Sequence, residues 1–171
     1  MKLYLLRHGV AAEPDRRNYP DDAARPLTPK GKKKLRRIAE YMAAMEMACD
    51  ALLTSPLPRA VQTAEIAAGG LKLKKGLLLA PELAPDGDPK ALIDRLNRDF
   101  QAAEAIMLVG HEPGLSQLIS VLLTGRVTGV PLELKKGGLC RLRIESLRYG
   151  QCAVLESLLA PKDLRSLKAE G

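Results

Sequence analysis

The chain holds two histidines, His8 and His111, and each follows a short apolar run: residues 3–6 and then Arg7 before the first, residues 105–109 and then Gly110 before the second. A third run, residues 51–54, leads through Ser55 and Pro56 to Arg59. Two imidazoles and two guanidiniums brought to one point suit phosphoryl transfer. That reaction needs a nucleophile in line with the leaving group and positive charge around three equatorial oxygens. A neutral imidazole can be the nucleophile and carry a covalent intermediate, provided a hydrogen bond on its other nitrogen orients the ring. Neighbouring arginines disfavour the imidazolium form and offer planar, bidentate forks to phosphate oxygens. Gly9 would let the backbone pass close to the phosphate. A helix opening just past His111 would turn its N-terminal amides toward the same anion. Each residue alone has a plainer use: His8 as a structural ring, Arg59 as a helix-surface cation, His111 as a helix cap. Their joint placement carries the reading.

The elements that must position these groups alternate short apolar runs with helical patterns, which predicts an α/β layered fold. The architecture expected is a three-layer α/β/α sandwich around a mostly parallel sheet. A single domain over residues 1–171 is expected, with residues 161–171 as a C-terminal helix or tail. Residues 3–6 read as a buried strand, residues 11–26 as a Pro-containing loop. Thr28 reads as an N-cap with Pro29 at the first helical position. Leu35, Ile38, Ala39, Met42 and Met45 then recur at the spacing of one helix face. Residues 51–54 form a strand and 58–68 a helix, ended by Gly69-Gly70. Residues 77–80 form a strand that runs into a turn-rich segment. Asp88-Pro89 opens a helix with Leu92, Ile93, Leu96 and Phe100 on its stripe. Residues 105–109 form a strand, and Pro113-Gly114 opens a helix that stops near Gly125. Residues 139–144 alternate apolar and basic side chains, as in a strand near an edge, and residues 152–158 form the last strand. Arg7-His8, Arg59 and Gly110-His111 therefore all lie just past the carboxyl end of a strand, the rim where open α/β sheets bind ligands.

Bulk properties narrow the function classes. The net charge is +7, which admits a nucleic acid, an acidic protein or a phosphorylated substrate. Much of the excess is Lys30, Lys32, Lys33, Lys34, Arg36 and Arg37, which open an amphipathic helix and read as a solvated face. Aromatic residues are only 3 % of the chain, so no stacking platform for single strands is available. No helix-turn-helix, zinc-finger or RNA-recognition signature occurs. No nucleic acid partner is expected. Cys49, Cys140 and Cys152 lack metal-ligand spacing and read as reduced, mostly core thiols. The N-terminal apolar run is too short for a signal-peptide core and is cut off by Arg7, and no stretch approaches transmembrane length. A cytoplasmic chain without membrane attachment is the expectation. No exposed apolar stripe is evident, so a monomer is expected.

The run Leu5-Leu6-Arg7-His8-Gly9 resembles the Arg-His-Gly signature of the histidine phosphatase superfamily, also called phosphoglycerate-mutase-like. Residues 55–64, from Ser55-Pro56-Leu57-Pro58-Arg59 to Thr63-Ala64, resemble its second motif. Val109-Gly110-His111-Glu112-Pro113 resembles its third, and Arg25-Pro26-Leu27-Thr28-Pro29-Lys30-Gly31 resembles the segment that opens its first helix. The resemblance runs over nearly the whole chain, with the motifs in order. It implies a phosphoglycerate-mutase-like fold, His8 as the nucleophile that becomes phosphorylated, Arg7 and Arg59 as the phosphate clamp, and His111 as a donor to a phosphoryl oxygen. It implies no metal and no other cofactor. Gly9 and Arg25 are further candidates for phosphate contact.

The chain is short, with little sequence to spare for a lid, and an open site suits a phosphorylated protein better than a sugar phosphate. In length, and in Pro-Glu-Leu-Ala-Pro-Asp-Gly-Asp at residues 81–88, it resembles the SixA-type branch. That implies phosphohistidine on a signalling protein, such as a histidine phosphotransfer domain, as substrate. Phosphohistidine leaves as neutral imidazole, whereas an ester leaves as alkoxide and asks for a general acid. Ester-cleaving members take that acid from the region after the third strand, where Glu82, Asp86 and Asp88 lie. Asp86 reads as a turn residue and Asp88 as a helix cap, which leaves Glu82 as the candidate. The competing readings are a broad phosphatase of small phosphomonoesters and a basic binding module for nucleic acid or phosphoproteins without catalysis.

Overall fold

The structure is a computed structural model that describes residues 1–15, 17–73 and 76–166. In chain order the strands are β1 (Lys2–Arg7), β2 (Ala48–Cys49), β3 (Ala51–Thr54), β4 (Lys72–Leu73), β5 (Leu77–Leu79), β6 (Ala105–Gly110), β7 (Leu139–Ile144) and β8 (Ala153–Leu159). The helices are α1 (Pro29–Ala44), α2 (Pro58–Ala68), α3 (Pro89–Asp99), α4 (Gly114–Thr124) and α5 (Pro161–Ser166). Two 3-10 turns sit at Asp22–Ala24 and Pro81–Leu83. Of the C-terminal helix or tail expected at residues 161–171, residues 167–171 lie outside the described residues.

Six strands form one sheet in the order β5-β3-β6-β1-β7-β8. The first four are mutually parallel, β7 runs antiparallel to β1, and β8 antiparallel to β7. This is the mostly parallel sheet the alternating pattern predicts. Strand residues of opposite parity enter two cores, as a two-residue side-chain period requires. Leu3, Leu5, Leu53, Ile106 and Leu108 pack with Leu92, Ile93 and Leu96 of α3 and Leu115, Leu118 and Ile119 of α4. Tyr4, Leu6, Leu52, Met107 and Val109 pack with Leu35, Ile38 and Met42 of α1 and Ala60 and Ala64 of α2. All six residues of β6 are buried, which explains its unbroken apolar run. Each Leu sealed in these layers contributes roughly 1.5–3 kcal/mol relative to exposure. With one Phe and no Trp in the chain, aliphatic side chains supply nearly all of it.

Three details depart from expectation. Met45 falls at the C-cap of α1 and is 55 % exposed, so the apolar stripe ends at Met42. Strand β7 does lie near an edge, as its alternation predicts, with β8 the edge itself. The alternating Arg141 and Arg143 on β7 both reach Glu156 of β8, with Nε–O distances of 2.8 and 3.6 Å. Val154, Leu155 and Leu158 of β8 are exposed apolar residues; Leu155 and Leu158 pair with Leu142 and Cys140 and Val154 with Arg143, so they divide between the two faces of the sheet. The small β2–β4 pair was not expected, because two-residue strands leave no periodic signal.

Helix α1 is seated on the segment that follows β1. Thr28 caps it by accepting a hydrogen bond from the Gly31 amide at 2.9 Å, and its own amide donates to the Val10 carbonyl at 2.9 Å. A Cβ at Gly31 would stand 2.2 Å from the Val10 oxygen. Only glycine lets the first turn of α1 lie this close to the chain just past His8.

Candidate active site

Parallel β1, β3 and β6 end on one rim, with His8, Ser55 and His111 each the first residue past its strand. Backbone bonds tie the three ends together. The His8 amide donates to Gly110 O at 3.1 Å, and the Ser55 amide to Val109 O at 2.9 Å. The Gly137 amide donates to the carbonyls of Arg7 and His8 at 3.0 and 3.1 Å, which brings in the loop ahead of β7. The two imidazoles sit with ring centroids 4.9 Å apart, tilted by 51°. His8 and His111 are 7 % and 4 % exposed.

His8 Nδ1 lies 2.7 Å from the Gly9 carbonyl. A carbonyl only accepts, so Nδ1 carries the proton and Nε2 keeps its lone pair. Burial pushes the His8 pKa down to about 4, reinforced by Arg59, Arg7 and Lys136 and opposed by the Gly9 hydrogen bond. His111 is pushed down to about 3 by burial, then by His8, Arg59 and Arg7. Both rings are therefore neutral at neutral pH. His111 Nε2 lies 2.9 Å from Ser55 Oγ, and that same oxygen accepts from the Leu57 amide at 3.3 Å.

The arginines are held from outside. Arg7 Nη1 donates to Leu134 O at 2.6 Å and to Glu133 at 3.2 Å. Arg59 is 4 % exposed, and its Nη1 donates to the Asp22 carbonyl at 2.9 Å. The Asp22 carboxylate lies 3.4 Å from Arg59 Nη2. The Nε of Arg7 and the Nε of Arg59 are both buried and without a hydrogen-bond partner among the described residues. Buried donors are almost always satisfied. Two unpaired guanidinium donors beside two neutral imidazoles are what a bound oxyanion would satisfy. Among the described residues no group of three or more His, Cys, Asp or Glu is arranged to hold a metal ion.

Other expected contributors are placed differently. Gly9 turns toward the core: a Cβ there would stand 2.5 Å from Leu35 Cδ1, and its amide donates to Thr63 Oγ1 at 3.1 Å. Its small size serves packing against α1, which corrects the reading of close phosphate approach. Arg25 is spent on support. Its Nε and Nη2 reach Asp22 Oδ1 at 2.8 and 2.6 Å, and its Nη1 reaches Ala12 O at 2.6 Å. It thus fixes the carboxylate that flanks Arg59, in place of the phosphate contact expected. Glu82 lines a cavity of about 20 Å³ shared with His111, but its carboxylate is paired with Arg95 Nη1 at 3.1 Å. One of its two oxygens, Oε2, is thus taken by the Arg95 guanidinium. At the start of α4, the amides of Leu115 and Gln117 are taken by the carbonyls of His111 and Pro113, so neither is turned to an anion. Sequence reasoning gave no role to Asp22, Ser55, Thr63 or Lys136. Ser55 and Thr63 stand inside the motif around Arg59. Asp22 and Lys136 lie in loops with no periodic signal.

A model of the histidine phosphatase superfamily (branch 1) matches residues 3–83. The Escherichia coli phosphohistidine phosphatase SixA is 30 % identical over 128 residues, 73 % of this chain and 76 % of the relative. The chain belongs to the histidine phosphatase superfamily. Within this superfamily it is of the SixA type, a phosphatase close to SixA. An uncharacterised protein of Picosynechococcus sp. is 40 % identical over 149 residues, 86 % of this chain and 88 % of that one. The structure of the protein histidine phosphatase SixA complexed with tungstate superposes with a TM-score of 0.81 at 23 % identity, covering 96 % of this chain and 99 % of that one. The fold of that structure is thus shared over 96 % of this chain. No helix among the described residues is long and apolar enough to cross a membrane.

Proposed function

We propose that this chain hydrolyses phosphohistidine on a cytoplasmic signalling protein, working as a single domain through a phospho-His8 intermediate. One observation supports the chemistry above all: a buried, neutral His8 with its Nδ1 proton fixed on a carbonyl, beside two buried arginine Nε donors that have no acceptor among the described residues.

The steps follow from that arrangement. The substrate's phosphoryl oxygens lie against the Arg7 and Arg59 guanidiniums, which offset the charge that builds at the three equatorial oxygens. The His8 Nε2 lone pair attacks phosphorus in line, and the substrate's P–N bond breaks with its electron pair returning to the departing imidazole. That imidazole, protonated on its other nitrogen, leaves neutral. His111 donates to a phosphoryl oxygen when Ser55 holds its Nε2 by donation and leaves the proton on Nδ1. Water then attacks phospho-His8 from the vacated side. The P–Nε2 bond breaks, the pair returns to Nε2, the water proton passes to solvent, and inorganic phosphate departs.

One feature favours phosphohistidine over a phosphomonoester: Glu82, the candidate acid, is engaged by Arg95, and phosphohistidine, which leaves as neutral imidazole, asks for less general-acid help than an ester. The test is hydrolysis by wild type and His8→Ala of a phosphohistidine protein and of p-nitrophenyl phosphate. Turnover confined to, or much faster on, the phosphohistidine protein, and lost in the variant, is the expected result. Faster turnover of the aryl ester would favour a small-molecule phosphomonoesterase. Activity that survives His8→Ala would remove the mechanism.

A further inference from the structure

The six cations that open α1 are unexplained by the catalytic site, and their placement is electrically awkward. A helix N-terminus carries partial positive charge and favours acidic residues in its first turn. The first turn of α1 has no acidic residue. Lys30, Lys33, Lys34 and Arg37 fall at i, i+3, i+4 and i+7, so they form one stripe of like charges at neighbouring positions. None of these four has an ion pair or side-chain hydrogen bond among the described residues. Lys30, Lys33 and Arg37 are exposed and Lys34 is half-buried. Together the four side chains line an open cleft of about 280 Å³ that no other residue lines. Lys32 and Arg36 flank it, and Glu40 is the only acid on the helix.

The stripe begins at the catalytic rim. The first turn of α1 rests on Val10, two residues past His8, through the Thr28 and Gly31 contacts described above. From there the stripe runs outward for seven residues, or roughly 10 Å at the rise of an α-helix. A protein delivering a phosphorylated side chain to His8 therefore presents the flanking part of its own surface to these cations.

We propose that the Lys30-Lys33-Lys34-Arg37 stripe is a docking surface for an acidic patch on the phosphorylated protein substrate, next to its phosphorylated residue. The inference rests on the protein-substrate reading above and extends it from the reacting atoms to the partner's surface. Charge complementarity sets the occupant: a row of unpaired cations asks for carboxylates. The stripe bears no aromatic side chain on which bases would stack, which favours a protein over a single-stranded nucleic acid. The stripe lowers the stability of its own helix, and a local rule broken without internal compensation marks a functional surface. Such a surface acts mainly on encounter and selectivity, and salt screens it.

The experiment compares wild type with a variant carrying Lys30→Gln, Lys33→Gln, Lys34→Gln and Arg37→Gln. The substrates are an acidic histidine phosphotransfer domain phosphorylated on histidine and p-nitrophenyl phosphate. The expected variant keeps wild-type kcat/KM on the aryl phosphate and loses roughly tenfold or more on the protein, through KM. Its protein turnover no longer falls with added salt. Its Tm rises by about 2–5 °C because like charges at the helix start are gone. A variant that folds, retains both activities and shows the wild-type salt dependence overturns the docking surface while the catalytic reading stands. Loss of RNA binding or of anionic-vesicle binding in the variant, with protein turnover unchanged, overturns it in favour of a different partner. Wild type that ignores the phosphoprotein but cleaves the aryl phosphate overturns the substrate reading and the docking surface together.

Discussion

Lowering the pH from 8 to 5 should unfold this protein far more readily than its carboxylates account for, because both of its histidines are buried neutral. In the unfolded chain a histidine titrates near 6.5. In the folded chain His8 is pushed down to about 4 and His111 to about 3. Well above pH 6.5, near pH 8, neither state binds these protons and stability is at its full value. Below it, the unfolded chain takes up two protons that the folded site refuses, and stability falls until the folded values are reached. At pH 5 each ring accounts for about 2 kcal/mol, and the pair for about 4 kcal/mol. For a chain of this size that corresponds to a Tm drop of about 8–16 °C. Most carboxylates are still ionised at pH 5, so they contribute little over this window. The assay is urea or thermal unfolding at pH 8 and pH 5 for wild type, His8→Asn and His111→Asn. Each variant should lose about half of the pH dependence. With only two histidines in the chain, ring NMR follows each directly, and neither should titrate above pH 5.5. Parallel stability curves for all three proteins, or a ring titrating near 6.5, would refute the burial and charge argument.

Other expectations follow from single contacts. Arg59→Lys keeps the charge but loses the planar fork and the Nε donor. It should cut kcat/KM by roughly 10²–10³, the cost of one donor at a developing anion, and a change under threefold in steady-state kinetics would count against the clamp. Gly9→Ala should destabilise by about 1–3 kcal/mol through overpacking on Leu35, and adding Leu35→Ala should recover part of that in denaturant melts. A loss of activity in Gly9→Ala with unchanged stability would instead restore the phosphate-approach reading. Glu82→Gln should leave turnover of the phosphohistidine protein and of an alkyl phosphomonoester within about threefold, whereas loss of a general acid would cost roughly 10²–10⁴ on the alkyl ester, whose alkoxide must be protonated as it leaves.

The sequence made the candidate catalytic rim legible because strand ends are well marked. Short apolar runs stop at Arg7, Thr54 and Gly110, and parallel strands must share a carboxyl edge, so the four key residues converge by topology alone. Helix starts were equally clear, since Thr28 and Asp88 cap as expected, each followed by Pro at the first helical position. What stayed hidden was how the arginines are braced. Asp22 stands in an irregular loop, and nothing local ties it to Arg59, thirty-seven residues on. Gly9 was misread because its type says only that a side chain is excluded, and tertiary packing decides whether the excluding neighbour is a ligand or Leu35. Glu82 was open for the same reason, as its partner Arg95 lies on the next helix. The exposed apolar residues of β8 were missed because exposure at a sheet edge depends on which strand comes last, and pattern alone does not order strands.

The most direct test of the account is to look for the covalent intermediate. Enzyme mixed with a phosphohistidine protein labelled in its phosphoryl group would be quenched within milliseconds in alkali, which preserves phosphohistidine, and mapped by mass spectrometry. The expected label is on His8, acid-labile, formed and lost at rates consistent with turnover, and absent from His8→Ala. Label on His111, or turnover at full rate with no phosphoenzyme and direct transfer to water, would contradict it.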